Sequence, residues 1–189
     1  MPTTDGEILE LFNHPDTREK GFRLLLQTYQ ERLYYHVRRY VHHHEDANDI
    51  LQNTFLKIWK SLHGFRGDAG LYTWLYRIAS NEALSYLQQQ KKRGIVPIDS
   101  VQTGSSTDGE SAEKMAARLQ YALDSLPDKQ KQVFIMRYYD EMPYEQMAAI
   151  TDTSVGALKA SYHHAVKKIE QILTAWLNFF LFQQSKKYE

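Results

Sequence analysis

Three sets of side chains have the types and spacing for recognition chemistry. Asp49, Gln52 and Asn53 fall on the polar side of a helical stripe formed by Leu51, Phe55, Ile58, Trp59 and Leu62. Polar positions of this kind either stay solvated or fix the register of helix-on-helix docking around apolar contacts. Arg66, Tyr72, Trp74, Tyr76, Arg77 and Asn81 gather cations, flat rings and an amide in one short stretch. Rings stack on unpaired bases at roughly 1–3 kcal/mol per base, and cations meet phosphate. Trp74 and Arg77 are three apart, whereas Tyr72 and Tyr76 share another side, so the set cannot all face one ligand. Lys159, His163 and Lys167 stand at i, i+4 and i+8 on the outer face of a helix that Ser154 is placed to cap, with Lys168 beside them. That face is either a basic surface for a DNA groove or an ordinary solvated one.

Covalent chemistry has no comparable set. There is no Gly-rich phosphate loop with a Lys. There is no Cys, hence no thiolate nucleophile and no disulfide framework, and composition permits the cytoplasm. The His42, His43, His44 run invites a metal. Adjacent helical residues point about 100° apart, so a solvated turn is the expectation, with no metal and no cofactor. A metal-dependent helical enzyme would need carboxylates and histidines converging from several helices, and no such spacing occurs.

The elements that position these side chains read as helices throughout. At 189 residues and 42% hydrophobic, the chain has material for one or two cores. No run of about 18 apolar residues predicts a membrane span, and the start of the chain lacks the pattern of a signal peptide. Net charge is zero, but its distribution is uneven. Residues 57–93 hold seven Lys and Arg against two acids, 94–128 six acids against two bases, and 154–169 three Lys, two His and no acid. Two basic segments parted by an acidic one suit two phosphate-facing surfaces.

In chain order, a short helix over 5–12 turns Ile8, Leu9 and Phe12 inward. Asn13, His14 and Pro15 break it, and Asp16 with Glu19 forms a capping-box pattern. A long helix runs to about residue 41 with Phe22, Leu25, Leu26, Tyr29, Leu33, His36, Val37 and Tyr40 inward. The helix from 46 packs on it. The helix after the loop 64–70 carries Leu71, Leu75, Ile78 and Ala79 inward. Residues 94–111, rich in Gly, Ser and Thr, read as a flexible linker that raises the effective concentration of a second contact. Helices over 113–126, 130–139 and 144–150 follow, then a turn at 151–153 and a last helix whose stripe runs from Val155 through Leu158, Tyr162, Ala165 and Ile169 to Trp176. A short helix, a three-residue turn and a capped basic helix form a helix-turn-helix. The apolar tail 176–182 is expected to dock on its own domain.

Residues 46–81 resemble region two of the bacterial sigma-70 family, in the extracytoplasmic-function group. Asp46, Asp49, Gln52 and Phe55 match the polymerase-binding signature; Phe65-Arg66-Gly67, Thr73-Trp74-Leu75, Arg77-Ile78-Ala79 and Asn81 match the promoter-melting one. Leu126-Pro127, Phe134, Met147-Ala148 and the run 154–159 resemble region four, in the family's order. The resemblance implies an all-α, two-domain transcription initiation factor: region two over 1–93, a linker over 94–111 and region four over 112–189. It implies that Asp46, Asp49, Gln52, Asn53 and Phe55 meet core RNA polymerase. Arg66, Trp74, Arg77 and Asn81 would take a base flipped from the non-template strand of the minus-ten element. Extruding that base costs about a few kcal/mol. Ser154, Lys159, His163, Lys167 and Lys168 would read the minus-thirty-five element. The implied partners are core RNA polymerase, promoter DNA and an anti-sigma factor, with no direct membrane insertion. His164 and Val166 stand where the family usually has arginines, so phosphate contact is expected to be weaker or to be carried by Lys167 and Lys168. A helix-turn-helix regulator acting without polymerase would explain 144–168 but leave 46–81 unexplained.

Overall fold

The computed structural model describes residues 4–94 and 112–185, and among them the secondary structure is helical. Eight α-helices follow in order: α1 Asp5–Asn13, α2 Arg18–Arg38, α3 His44–Ser61, α4 Leu71–Lys92, α5 Ala112–Asp124, α6 Asp128–Phe134, α7 Tyr144–Thr151 and α8 Val155–Ser185. No described helix is long and apolar enough to cross a membrane. The expected linker, except Gly94, lies outside the described residues.

Helix α1 is capped by Thr4, whose side chain accepts from the Glu7 N–H at 3.3 Å, and it buries Ile8 and Phe12. The expected Asp16–Glu19 capping box does not form. Pro15 starts a 3₁₀ turn that takes in Asp16, so α2 begins only at Arg18. A residue inside a turn lacks the extended backbone that lets a cap side chain fold onto the next N–H groups. Thr17 instead donates to the Leu11 carbonyl at 2.8 Å.

Helix α2 buries Gly21, Leu25, Tyr29, Leu33, His36 and Val37, a continuous stripe against α1, α3 and α4. Gly21 lies where α1 crosses. A Cβ there would meet the Phe12 nitrogen at 2.5 Å and the Ile8 carbonyl oxygen at 2.9 Å. Backbone cannot swing aside as a side chain can, so Gly21→Ala is expected to destabilise by about 3 kcal/mol, the upper part of the usual overpacking range. Urea unfolding of the two proteins measures it; a loss under about 0.5 kcal/mol would show that the crossing relaxes freely.

Two inward stripes differ from expectation. Helix α3 buries Ala47, Ile50, Leu51, Thr54 and Ile58, while Phe55 and Trp59 are half-buried at the rim. Thr54 is tolerated inside because its hydroxyl donates to the Ile50 carbonyl at 2.8 Å. Helix α4 buries Leu71, Thr73, Leu75, Tyr76, Ala79, Ser80 and Ala83, and Ile78 is only half-buried. The helix is rotated toward its small residues, which lets it approach α2 and gives Tyr76 and Ser80 polar partners there.

The expected helix 130–139 is α6 plus a π-helical turn, Ile135–Tyr139. Helices α7 and α8 form the helix-turn-helix, with Asp152 left-handed at φ 53° ending α7. Ser154 caps α8 by accepting from the Ala157 N–H at 3.3 Å. Ala122, Leu123, Leu126, Phe134, Ala165 and Ile169 fill a core of their own. Trp176 is half-buried against Arg118 of α5, so the tail docks at least to that point; side chains beyond 178 lie outside the described residues.

The two helical groups pack on each other. Val133, Ile135, Met136, Met142, Met147, Ile150 and Leu158 join the core of α1–α4 in one apolar cluster. A polar seam surrounds that contact. Buried Lys131 donates to the Tyr40 carbonyl at 2.9 Å and to Asp124 at 2.7 Å, and Asp124 pairs with His42 at 2.6 Å. Burial works against the Asp124 carboxylate, but the hydrogen bond with His42 and the Lys131 ammonium outweigh it and hold its pKa below the ordinary value. His42, expected to be solvated, therefore joins the two groups.

Candidate functional site

The first face lies on α3. Asp49, Gln52 and Asn53 are exposed, one side of a helix whose other side is core. Beside them opens an apolar groove of about 560 Å³, walled by Phe22, Leu26, Leu51, Phe55, Leu56 and Trp59, with Gln52 at its rim. Phe22 holds the groove together edge-on, 5.0 Å from Trp59 and 6.4 Å from Phe55. Arg18 stiffens the far wall: its guanidinium lies 4.7 Å from the Trp59 ring and donates to the Trp59 carbonyl at 3.3 Å. Leu56 is 52% exposed. It escapes the sequence reading because it stands off the apolar stripe; a lone Leu between Gln52 and Lys57 was the available signal. Phe55 is a wall of the groove rather than part of the polar face.

Asp46 differs from its neighbours. It is half-buried beside Tyr86 of α4, whose hydroxyl is pushed up to about 12 by burial first and by the Asp46 carboxylate second. Asp49 acts on the same hydroxyl more weakly.

The second face lies on α4 and the loop before it. Trp74, Arg77 and Asn81, three and four residues apart, share one side of α4. Arg77 and Asn81 are exposed; Trp74 is half-buried, 5.4 Å from Phe65. Arg66, next to Phe65 in the loop, is exposed. Tyr72 and Tyr76 lie elsewhere, stacked at 4.3 Å with Arg32 over Tyr72. Tyr76 is core and donates to the Arg32 carbonyl. Arg77 is not free: its guanidinium donates to the Ala149 carbonyl of α7.

The third face is the start of α8. Lys159, His163 and Lys167 are exposed along one line, and Lys159 lies 5.7 Å from the Tyr144 ring of α7. Lys168 points the other way and donates to the Ser125 carbonyl at 2.6 Å, stapling α8 to the end of α5. The Ser154 hydroxyl oxygen is occupied by the cap. Val166 is half-buried in the second core, so its side chain is a packing element. Among the described residues no three His, Asp or Glu side chains gather as a metal site.

Residues 25–93 match the family described as sigma-70 region 2, and residues 116–169 match sigma-70 region 4. The first match accounts for the half of the chain that a stand-alone helix-turn-helix regulator leaves unexplained. The ECF RNA polymerase sigma-E factor of Escherichia coli K12 is 31% identical over 180 residues, covering 88% of this chain and 93% of that protein. The RNA polymerase sigma-H factor of Pseudomonas aeruginosa is 29% identical over 185 residues, covering 89% and 93%. Two solved structures share the fold. The sigma factor RpoE in complex with the anti-sigma factor NepR from Bartonella quintana has a TM-score of 0.63 at 24% identity, covering 82% of this chain and 98% of that one. CnrH in complex with the cytosolic domain of CnrY has a TM-score of 0.65 at 20% identity, covering 89% and 96%. The chain belongs to the sigma-70 family, in its extracytoplasmic-function group, and is an alternative sigma factor that directs RNA polymerase to promoters.

Proposed function

We propose that promoter-directed initiation is divided among the three faces. Asp49, Gln52 and Asn53 dock on a helical element of core RNA polymerase, with Phe55 and Leu56 supplying apolar contact in the groove and Asp46 holding α3 in place. Arg66, Trp74, Arg77 and Asn81 hold an extruded minus-ten base, the ring by stacking and the cations by phosphate contact. Lys159, His163 and Lys167 meet the minus-thirty-five duplex in the major groove, and Ser154 and Lys168 position α8 for that contact. The functional modules are 1–93 and 112–189, joined by 94–111. The sigma-70 family consists of non-enzymatic initiation factors, and binding energy rather than catalysis by this chain opens the strands. The protein acts in the cytoplasm, without direct membrane insertion.

The observation that carries this reading is the α3 face: three exposed polar side chains beside an apolar groove, on the stretch that matches region 2. A helix-in-groove contact with a polar rim supplies both affinity and register. The two solved relatives in complex with CnrY and with the anti-sigma factor NepR support an anti-sigma partner for this chain as well. The test is size exclusion with a cognate core RNA polymerase. The chain is expected to co-elute with core and to support run-off transcription from its own promoter. Elution at its own volume, with tight duplex binding in the absence of polymerase, would overturn the reading.

A further inference from the structure

Helix α8 runs on to Ser185, beyond residue 169 where the region 4 match ends. At about 1.5 Å per residue the extension is about 24 Å of helix. None of the three faces uses it. Its sequence is unlike the rest of the chain: from Gln171 to Ser185 there is no charged residue, and Phe179, Phe180, Leu181 and Phe182 stand in a row. Successive helical residues point about 100° apart. Four large apolar residues in a row therefore leave a helix with no polar side, and such a helix is stable only where it is covered.

One side has a neighbour. Helices α5 and α8 run antiparallel: Lys168 reaches the Ser125 carbonyl, and Trp176 lies against Arg118. Ile172 and Leu173 pack on the second core. That cover thins toward the end of α8. Leu177, next after Trp176, is 43% exposed, and Met115, one turn before Arg118 on α5, is 45% exposed. Ala116 and Ala117 are exposed as well. The start of α5 and the end of α8 thus form an apolar end of the second helical group.

Charge and area select what covers it. Identical surfaces that meet across a two-fold axis bring like charges together, and like charges repel. A stretch without charge meets its own copy with no such cost. A lipid surface instead draws on Lys and Arg along a helix's polar side. Here the exposed polar side is Gln171, Thr174 and Asn178, which is neutral. Three Phe with Leu177, Leu181 and Met115 carry on the order of 800 Å² of apolar surface. A standard interface takes about that area from each partner.

We propose that this apolar end is a self-association surface: two copies of the chain pack the ends of α8 and the starts of α5 against one another about a two-fold axis, burying Met115, Leu177 and the run 179–182. The surface shares no residue with the three recognition faces, so it forms without using them.

Sedimentation velocity on the full-length chain tests it. The parent is expected to sediment at twice the 22.2 kDa chain mass and to dissociate on dilution. Leu177→Glu is expected to keep the parent's helicity and to weaken association about 30-fold, the loss of a central apolar contact. Met115→Glu, on the other helix, is expected to act in the same direction. A folded variant of either kind that associates as the parent does overturns the proposal. A monomer mass throughout the concentration series overturns it and leaves α5 as the cover of the tail. A ladder of larger species overturns the two-fold contact, because an open head-to-tail contact gives such a ladder. A monomer that floats with vesicles of phosphatidylcholine and phosphatidylglycerol overturns it in favour of a lipid surface.

Discussion

Asp49→Arg combined with Gln52→Ala is expected to abolish co-elution with core RNA polymerase while leaving far-UV circular dichroism and the urea midpoint unchanged. Both residues are exposed on α3, and Gln52 lines the groove beside Phe55 and Leu56. Removing one partner of a buried interfacial charge pair costs about 2–5 kcal/mol, and reversing it adds repulsion. That corresponds to a loss of roughly 30-fold to several thousand-fold in affinity, beyond what a co-elution experiment retains. Exposed positions away from caps and partners rarely change stability by more than about 0.5 kcal/mol, so folding acts as an internal control. Asp46 is unsuitable for this test because it is half-buried beside Tyr86 of α4, and a loss of binding would mix with a loss of packing. Retained co-elution of the double variant would remove the α3 face from polymerase binding.

The second large effect is expected from Trp74. Replacing the indole by alanine removes one stacking surface, worth about 1–3 kcal/mol, so minus-ten capture should fall roughly 5- to 150-fold. Trp74 also packs on Phe65 at 5.4 Å, and the loop that carries Arg66 depends on that contact. Trp74→Tyr keeps a flat ring and is expected to recover most of the binding. Permanganate reactivity of the promoter, with holoenzyme at matched concentration, reads strand opening directly. Equal reactivity for Trp74→Ala and the parent would make Trp74 a packing partner of Phe65 and nothing more. The two variants separate steps of one process: the α3 variant never reaches the promoter with polymerase, whereas the Trp74 variant reaches it and fails to open it.

Periodicity explains most of what could be read in advance. The stripe Leu25, Tyr29, Leu33, His36, Val37 is legible because helical spacing is local, and each residue's face follows from its neighbours three and four away. The exposure of Asp49, Gln52 and Asn53 follows in the same way. The Ser154 cap follows from the side chain's short reach to the next N–H groups. The limits of that reading are also physical. Spacing alone cannot say how far a helix is rotated about its axis, so Ile78 was expected inside where Tyr76 and Ser80 are. Nor can it show that Lys168 reaches the Ser125 carbonyl, 43 positions away.

The amino-acid sequence by itself determined an all-α chain, its helices in order, the polar faces they carry and a family resemblance in two blocks, because each rests on contacts within a few turns. Tertiary structure alone decided that the two blocks close on each other. His36 and Asp140 are 104 positions apart, and Arg77 and Ala149 are 72. Such pairs cost chain entropy to bring together and leave no mark in local spacing. They exist only because the apolar cluster around Val37, Tyr40, Met136 and Met142 first holds the helices in place.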